Sequence, residues 1–465
     1  MEGNIESLLS WLRDSGSFAL SGKINAVDTK DCGRCLVLTE GELRKNELLI
    51  SIPSSHQLNY STVLWNISTF NKNIIIPGLK LNSSKDNASE QTEYDLFYSN
   101  DDPRYIAYGR LTSEYLSNLS SFQLLTLYIL SEWIFLPVWS DNKIKSDWSP
   151  FFDVWPSKAD LKSIPTVWKL SNDSNHRSLL EVLPSCSRHH LDRIAKLVLK
   201  DWNIIKNVIE NWIQELPGTF EIDKIFEDYL HIYFIINSRC LYCEVPTKSD
   251  DIFSNFTLVP YVDFINHTDE VGVHCYPQVM KSNINGSGIG EFCVRVGERS
   301  YKIHEEQILF NYGAHSNDFL LNEYGFVLNE NQWNYIDITE DIETLLLTID
   351  GAKEFLQEHD YWGDYTINTD EISYRTLVAI SLYCTKDYRR VKLFMDGLIS
   401  EDFFLPKIKA FLVEFLNSKL KSFRTIISEL ESMIEDTDDT ICIKNLHTIY
   451  RDYCNIITHH IAKVE

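Results

Sequence analysis

Two segments, LVPYVDFINH at 258–267 and ILFNYGAHSNDFLLNEYGF at 308–326, constrain this chain more than any other feature. In the first, Asp263, Asn266 and His267 follow an apolar run, so polar groups able to bind a ligand stand where a buried strand ends. Apolar walls carrying a few placed polar groups make a small-molecule pocket. In the second, Tyr312-Gly313 and Tyr324-Gly325 each set a phenol beside a residue that allows close backbone approach, with Ser316 and Asn317 between them. Either segment alone reads equally well as core strands joined by turns. Their pairing, in this order, is more specific.

The chain has 465 residues, enough for two to four structural units, and its 44% hydrophobic content supports substantial cores. With 43 basic against 67 acidic residues the net charge is −24, which argues against a phosphate-binding surface and suits a basic protein partner. Acidity as a simple aid to solubility explains the balance equally well. The first twenty residues lack a basic stretch followed by an apolar core, so an intracellular protein is expected, cytoplasmic first and nuclear second. The longest apolar run, 124–138, is interrupted by Glu132 and is too short to span a bilayer; it reads as a buried helix.

Ten cysteines in a chain of this length favour reduced thiols. Cys32/Cys35 and Cys240/Cys243 each have Cys-x-x-Cys spacing, but the stretch between the pairs far exceeds that of a zinc ribbon, so no metal is expected. Helical spacing marks 5–12, and 33–53 reads as short strands turning at 40–42. Helical patterns such as 191–213 then alternate with an Asn/Ser-rich stretch, 82–89, expected to be a mobile loop. The glycine cluster at 285–290 lies between expected strands, which favours a hairpin tip over a dinucleotide loop. Beyond 329 the patterns are helical, with candidates at 342–357, 373–384, 405–435 and 441–461.

With GRCLVL at 33–38, LRKNELLISIP at 43–53, WSPFFDVWP at 148–156 and SRCL at 238–241 in the same order, the chain resembles the SET-domain protein methyltransferases. The likeness is to the branch of the Rubisco large-subunit and fungal ribosomal-protein lysine methyltransferases, and it covers nearly the whole chain. It implies an α+β fold: a β-rich SET domain (1–58 and 235–329) split by a helical insertion (59–234) and followed by an all-α substrate-binding lobe (330–465). It implies S-adenosylmethionine as cofactor and a lysine of a ribosomal protein or elongation factor as acceptor; the acidic balance and the short apolar run add the expectation of no direct nucleic-acid binding and no membrane.

The resemblance carries roles onto particular residues. Tyr312 would be catalytic, its hydroxyl beside the sulfonium methyl and the lysine nitrogen. Gly33, Arg34 and Cys35 would follow the cofactor through backbone groups, although many relatives have a second glycine where Cys35 stands. Asn266 and His267 would contact its adenine and amino-acid portions, and Arg239 would face its carboxylate or the substrate. Asp263, Tyr276 and Tyr324 would line the acceptor side. For each a structural role is the alternative: a core tyrosine, an intramolecular ion pair for Arg239, a carboxylate satisfying backbone donors for Asp263. A histidine acceptor, or a silent SET-like binding module, stands as a rival reading.

Overall fold

The hairpin Ile24–Thr29/Gly33–Leu38 turns at Gly33, whose φ of +66° lies in the left-handed region that favours glycine, and runs in register from Thr29↔Gly33 to Ile24↔Leu38. The computed structural model describes residues 2–29, 32–75, 101–172, 176–248, 251–270, 272, 274–281, 289–434 and 440–464. Two units divide the chain, the first comprising 1–161 and 196–312, the second 162–195 and 313–465.

In the first unit an antiparallel four-stranded sheet has the order Ala19–Leu20, Leu48–Ile52, Ile289–Arg295, Tyr276–Lys281. The strand Leu48–Ile52 is buried at nearly every position, as a strand covered on both faces must be. The last two strands pair across the glycine cluster, Lys281↔Ile289, as a hairpin would, though most of that cluster lies outside the described residues. A second antiparallel sheet joins Leu58–Asn59, Phe256–Leu258 and Leu241–Tyr242. The Asn/Ser-rich stretch 82–89 also lies outside the described residues.

Helix Tyr60–Phe70 starts where the Asn59 side chain accepts from the Ser61 and Thr62 amides, and Ser120 with Gln123 forms a second capping box before Ser121–Ile129. The apolar run continues through a π turn, Leu130–Phe135, into Leu136–Trp139. By length and composition 121–139 could cross a membrane, but 72% of its apolar window is buried in the fold. It packs on helix Ile222–Arg239, which buries Ile225, Tyr229, Ile232, Tyr233 and Ile236 on successive turns. That helix stops at Arg239 because Cys240 is extended and leads into a strand.

The second unit is mainly helical around a core that includes Leu346, Leu356, Val378, Ile380, Leu412, Leu416, Leu446 and Ile449. The expected helix at 342–357 is two helices, Thr339–Leu346 and Ala352–Glu358, because Gly351 adopts φ +71° between them. The other expected helices are present as Tyr374–Thr385, Leu405–Ile434 and Ile441–Val464, the last two packing together. Tyr335–Asp337 and Thr366–Asn368 add an antiparallel strand pair that helical spacing could not reveal.

Asp452, 4% exposed, accepts from Asn317 Nδ2 (3.2 Å) and Asn334 Nδ2 (2.8 Å), and burial pushes its carboxyl up to about 6. A group whose folded pKa exceeds its unfolded value binds its proton more readily when folded, so its contribution is present below pH 4 and is lost as pH rises through 6. The loss is on the order of 2–3 kcal/mol. Denaturant titrations of Asp452→Asn between pH 4 and 7 are expected to show a shallower fall in stability than the parent; equal slopes would reject this account.

Candidate functional site

The strand pairing brings three of the sequence motifs together. Leu309 and Phe310 pair in parallel with Asn266 and His267, and Thr268 N–H donates to Phe310 O at 2.8 Å. On the other side, Ile308 N–H donates to Leu36 O (2.8 Å), Leu38 N–H donates to Glu306 O (3.0 Å), and Gln307 bridges Val37. One run of backbone hydrogen bonds therefore crosses from the glycine hairpin through 306–310 to the Asn266–His267 pair. The apolar residues Leu36, Val37, Ile308 and Phe310 are buried beneath it.

Asp263 stands in a 3-10 turn, Val262–Phe264, and not at the end of the strand Phe256–Leu258. Tyr261 makes the difference: its φ of +68° bends the chain sharply between the two elements. A buried aromatic residue in the left-handed region is strained, by of order 1–3 kcal/mol, and such strain clusters at functional sites. The bend delivers Asp263 to Arg239, whose Nη1 donates to the Asp263 carbonyl (3.0 Å) and to Oδ2 (3.2 Å). The intramolecular ion pair considered for Arg239 is thus present. Asp263 is fully enclosed and Arg239 about a quarter exposed. Burial pushes the Asp263 carboxyl up, against Arg239 and Arg34, which pull it down. Arg239 Nε and Asp263 Oδ1 are buried without a hydrogen-bond partner among the described residues. Orphaned buried polar atoms are costly, and a ligand that pairs with them gains accordingly.

Tyr312 lies beside this pair. Its hydroxyl donates to Ile265 O at 2.7 Å, its backbone N–H donates to His267 Nδ1 at 3.0 Å, and its ring lies 4.9 Å from that imidazole at 28°. Accepting at Nδ1 assigns the proton of neutral His267 to Nε2. Burial pushes the Tyr312 phenol well up, with Arg239 pulling down and Asp263 pushing up. The group is therefore a neutral hydrogen-bonding phenol at physiological pH, not a phenolate base.

On the hairpin side, Arg34 Nε donates to Asp28 Oδ1 (2.9 Å), Nη1 donates to Val154 O (2.9 Å), and the guanidinium lies over the Phe264 ring at 5.2 Å. That side chain is committed within the protein, so only the backbone of Gly33–Cys35 is open to a ligand role. Val154 belongs to WSPFFDVWP and Arg239 to SRCL, so two further landmarks converge on the same place, while LRKNELLISIP contributes the strand Leu48–Ile52 of the four-stranded sheet. Cys35 is buried, and burial with the adjacent Cys32 thiol pushes it up to about 12; burial pushes Cys243 up to about 11. No group of three or more His, Cys, Asp or Glu side chains placed to hold a metal ion occurs among the described residues.

Sequence reasoning overlooked Gln307. Its Oε1 accepts from Asn266 Nδ2 (3.3 Å) and its Nε2 donates to Cys32 Sγ (3.2 Å), linking the glycine hairpin to the Asn266–His267 pair. The available signal was a polar residue just before the apolar run Ile308–Phe310. Tyr276 is 38% exposed at the start of an edge strand and donates to Asn46 Oδ1 (3.1 Å), outside the contacts that join Tyr312, His267, Asp263 and Arg239. Tyr324 belongs to the second unit, at the end of helix Asn317–Tyr324. Gly325 caps that helix at φ +80°, where a Cβ would meet Ser163 Oγ at 2.5 Å. The chain after Tyr312 is therefore helical where core strands were one reading of it.

Comparison with known proteins agrees with this architecture. Residues 334–463 match the family model described as "Ribosomal lysine N-methyltransferase 2 C-terminal domain". The chain is 46% identical over 481 aligned residues to Ribosomal lysine N-methyltransferase 2 of Saccharomyces cerevisiae, with all of both chains covered. It is 25% identical to Ribosomal lysine N-methyltransferase set11 of Schizosaccharomyces pombe, over 81% of this chain and 74% of that one. Among solved structures, Rubisco LSMT bound to AdoMet superposes with a TM-score of 0.56 at 13% identity, covering 99% of this chain and 91% of the other. The fold is thus that of the SET-domain methyltransferases. Within that class the chain belongs to the ribosomal lysine N-methyltransferases.

Proposed function

We propose that the protein transfers a methyl group from S-adenosylmethionine to a lysine side chain of a ribosomal protein in the cytoplasm. The observation that carries this reading is the convergence of the glycine hairpin, Asn266–His267, Arg239–Asp263 and Tyr312 along one run of strand hydrogen bonds. The relative aligned over its full length bears the name of a ribosomal lysine methyltransferase. A net charge of −24 suits a basic acceptor protein, and ten free thiols suit a reducing compartment.

The residues fit the cofactor by the orphaned atoms they hold. Arg239 Nε is an enclosed cationic donor suited to a carboxylate, and the Gly33–Cys35 backbone, Asn266 and His267 offer the polar groups for the rest. When bound, S-adenosylmethionine supplies an electrophilic methyl carbon on positively charged sulfur. Tyr312, held on one side by Ile265 and on the other by His267, presents a neutral phenol oxygen to orient the amine. Asp263 Oδ1 is the acceptor for a hydrogen on that amine. Positioning of this kind replaces a bimolecular encounter and contributes several kcal/mol, with no covalent enzyme intermediate.

The test is incubation with methyl-labelled cofactor and a ribosome-containing extract, followed by peptide identification. Label on lysine of a ribosomal protein is expected. Label confined to histidine, or to a soluble factor, would reject the acceptor proposed.

A further inference from the structure

Methyl transfer as proposed leaves the thiols of both Cys-x-x-Cys pairs unused, and the two pairs differ. Cys32 is exposed at the turn and Cys35 fully buried on the following strand. Gly33, at φ +66°, turns the chain between them. Thr29 and Val27 share one face of the hairpin with their partners Gly33 and Cys35, and Cys32 Sγ lies 2.9 Å from Thr29 Oγ1, so both thiols stand on that face. A Cβ built on Gly33 meets nothing within 4 Å, so the turn has room to adjust. The second pair differs: Cys240 and Cys243 are separated by the extended strand Leu241–Tyr242, and their thiols reach different carbonyls, Asn237 O and Glu244 O.

Cys32 also belongs to a relay. Its Sγ lies 2.9 Å from Thr29 Oγ1 and accepts from Gln307 Nε2, whose amide oxygen in turn accepts from Asn266. Drawing Cys32 Sγ toward Cys35 removes the acceptor that holds the Gln307 amide, and with it the constraint on Asn266.

We propose that Cys32 and Cys35 form a reversible disulfide that weakens cofactor binding, making the glycine hairpin a redox modification site. Its effect on affinity rests on the cofactor reading above; formation of the disulfide does not. With a glutathione-class disulfide as oxidant, the Cys32 thiolate attacks one sulfur, forming a mixed disulfide and releasing one glutathione. Cys35 then gives up its proton and displaces the second glutathione. Two protein thiols lose two electrons and two protons, and one oxidant disulfide becomes two thiols.

The experiment poises the full chain across glutathione redox ratios, traps free thiols with N-ethylmaleimide, and measures peptide masses alongside calorimetry with S-adenosylhomocysteine. At the oxidising end the peptide holding Cys32 and Cys35 is expected to lose two hydrogens while Cys240 and Cys243 stay alkylated. Affinity should fall about tenfold, the scale of one lost net hydrogen bond. Dithiothreitol should restore it, and Cys32→Ser, which keeps an acceptor for Gln307, should be insensitive to oxidation. Free Cys32 and Cys35 throughout, glutathione retained on Cys32 without closure, or a closed disulfide with unchanged affinity each overturns the proposal. If the reduced protein does not bind S-adenosylhomocysteine, the cofactor reading fails and so does the switch, while the mass measurement still decides the disulfide.

Discussion

Tyr312→Phe is expected to fold, to bind cofactor, and to lose roughly a hundredfold to a thousandfold in methyl transfer. The change removes one oxygen from a ring whose packing on His267, at 4.9 Å, does not depend on it. The Tyr312 N–H to His267 bond is a backbone contact and also survives. What is lost is the donor to Ile265 O and the polar atom that would face the reacting amine. Loss of the first leaves a carbonyl without that donor and costs roughly 1–3 kcal/mol of stability if no water replaces it. Loss of the second acts on the transition state, on the order of 2.7–4 kcal/mol by analogy with an oxyanion-hole donor. Single-turnover methylation at saturating cofactor, with a thermal melt beside it, separates the two. Near-normal turnover in a folded variant would remove Tyr312 from the chemistry and leave it a packing residue.

Much of this site was legible in sequence because each landmark is local: a glycine before a strand, an Asn-His pair after an apolar run, a tyrosine-glycine pair. Their convergence was legible only through the family resemblance, since no periodicity states that 306–310 pairs with both Gly33–Leu38 and Asn266–His267. The Asp263 turn was missed because it depends on Tyr261 adopting a positive φ, which no propensity assigns to a bulky aromatic. The split at 347–351 was missed for a related reason: Leu345, Leu346 and Ile349 sustain the helical spacing while Gly351, at φ +71°, departs from it. Glu132 illustrates the other limit. In sequence it is a polar break in an apolar run, and nothing local announces that its partners lie near 102–108 and 146.

Those partners set the second large effect. Arg104 Nη2 pairs with Asp102 Oδ2 at 2.8 Å and Nη1 with Glu132 Oε2 at 3.2 Å, and none of the three side chains is more than 3% exposed. Tyr108 and Ser146 both donate to Glu132 at 2.6 Å. Burial opposes the Arg104 charge, but the two carboxylates more than offset it and hold the guanidinium above its ordinary range. Burial likewise pushes Glu132 up, against the pull of Arg104, Ser146 and Tyr108. Arg104→Met keeps much of the side-chain volume and leaves two enclosed carboxylates without their cation. Breaking a buried pair from one side costs on the order of 3–5 kcal/mol, although the intact network adds little over an apolar replacement. The cost should be greatest at neutral pH and shrink as the medium becomes acidic, because protonating Glu132 removes the uncompensated charge. The network braces the π turn of 121–139, the segment packed on Ile222–Arg239, so the lesion should reach Arg239 and weaken cofactor binding as well as stability. Denaturant titrations at two pH values, with calorimetry on the folded fraction, measure both. A variant within about 1 kcal/mol of the parent at neutral pH would mean that the carboxylates find water or protons unaided, and that the network does not hold the scaffold behind Arg239.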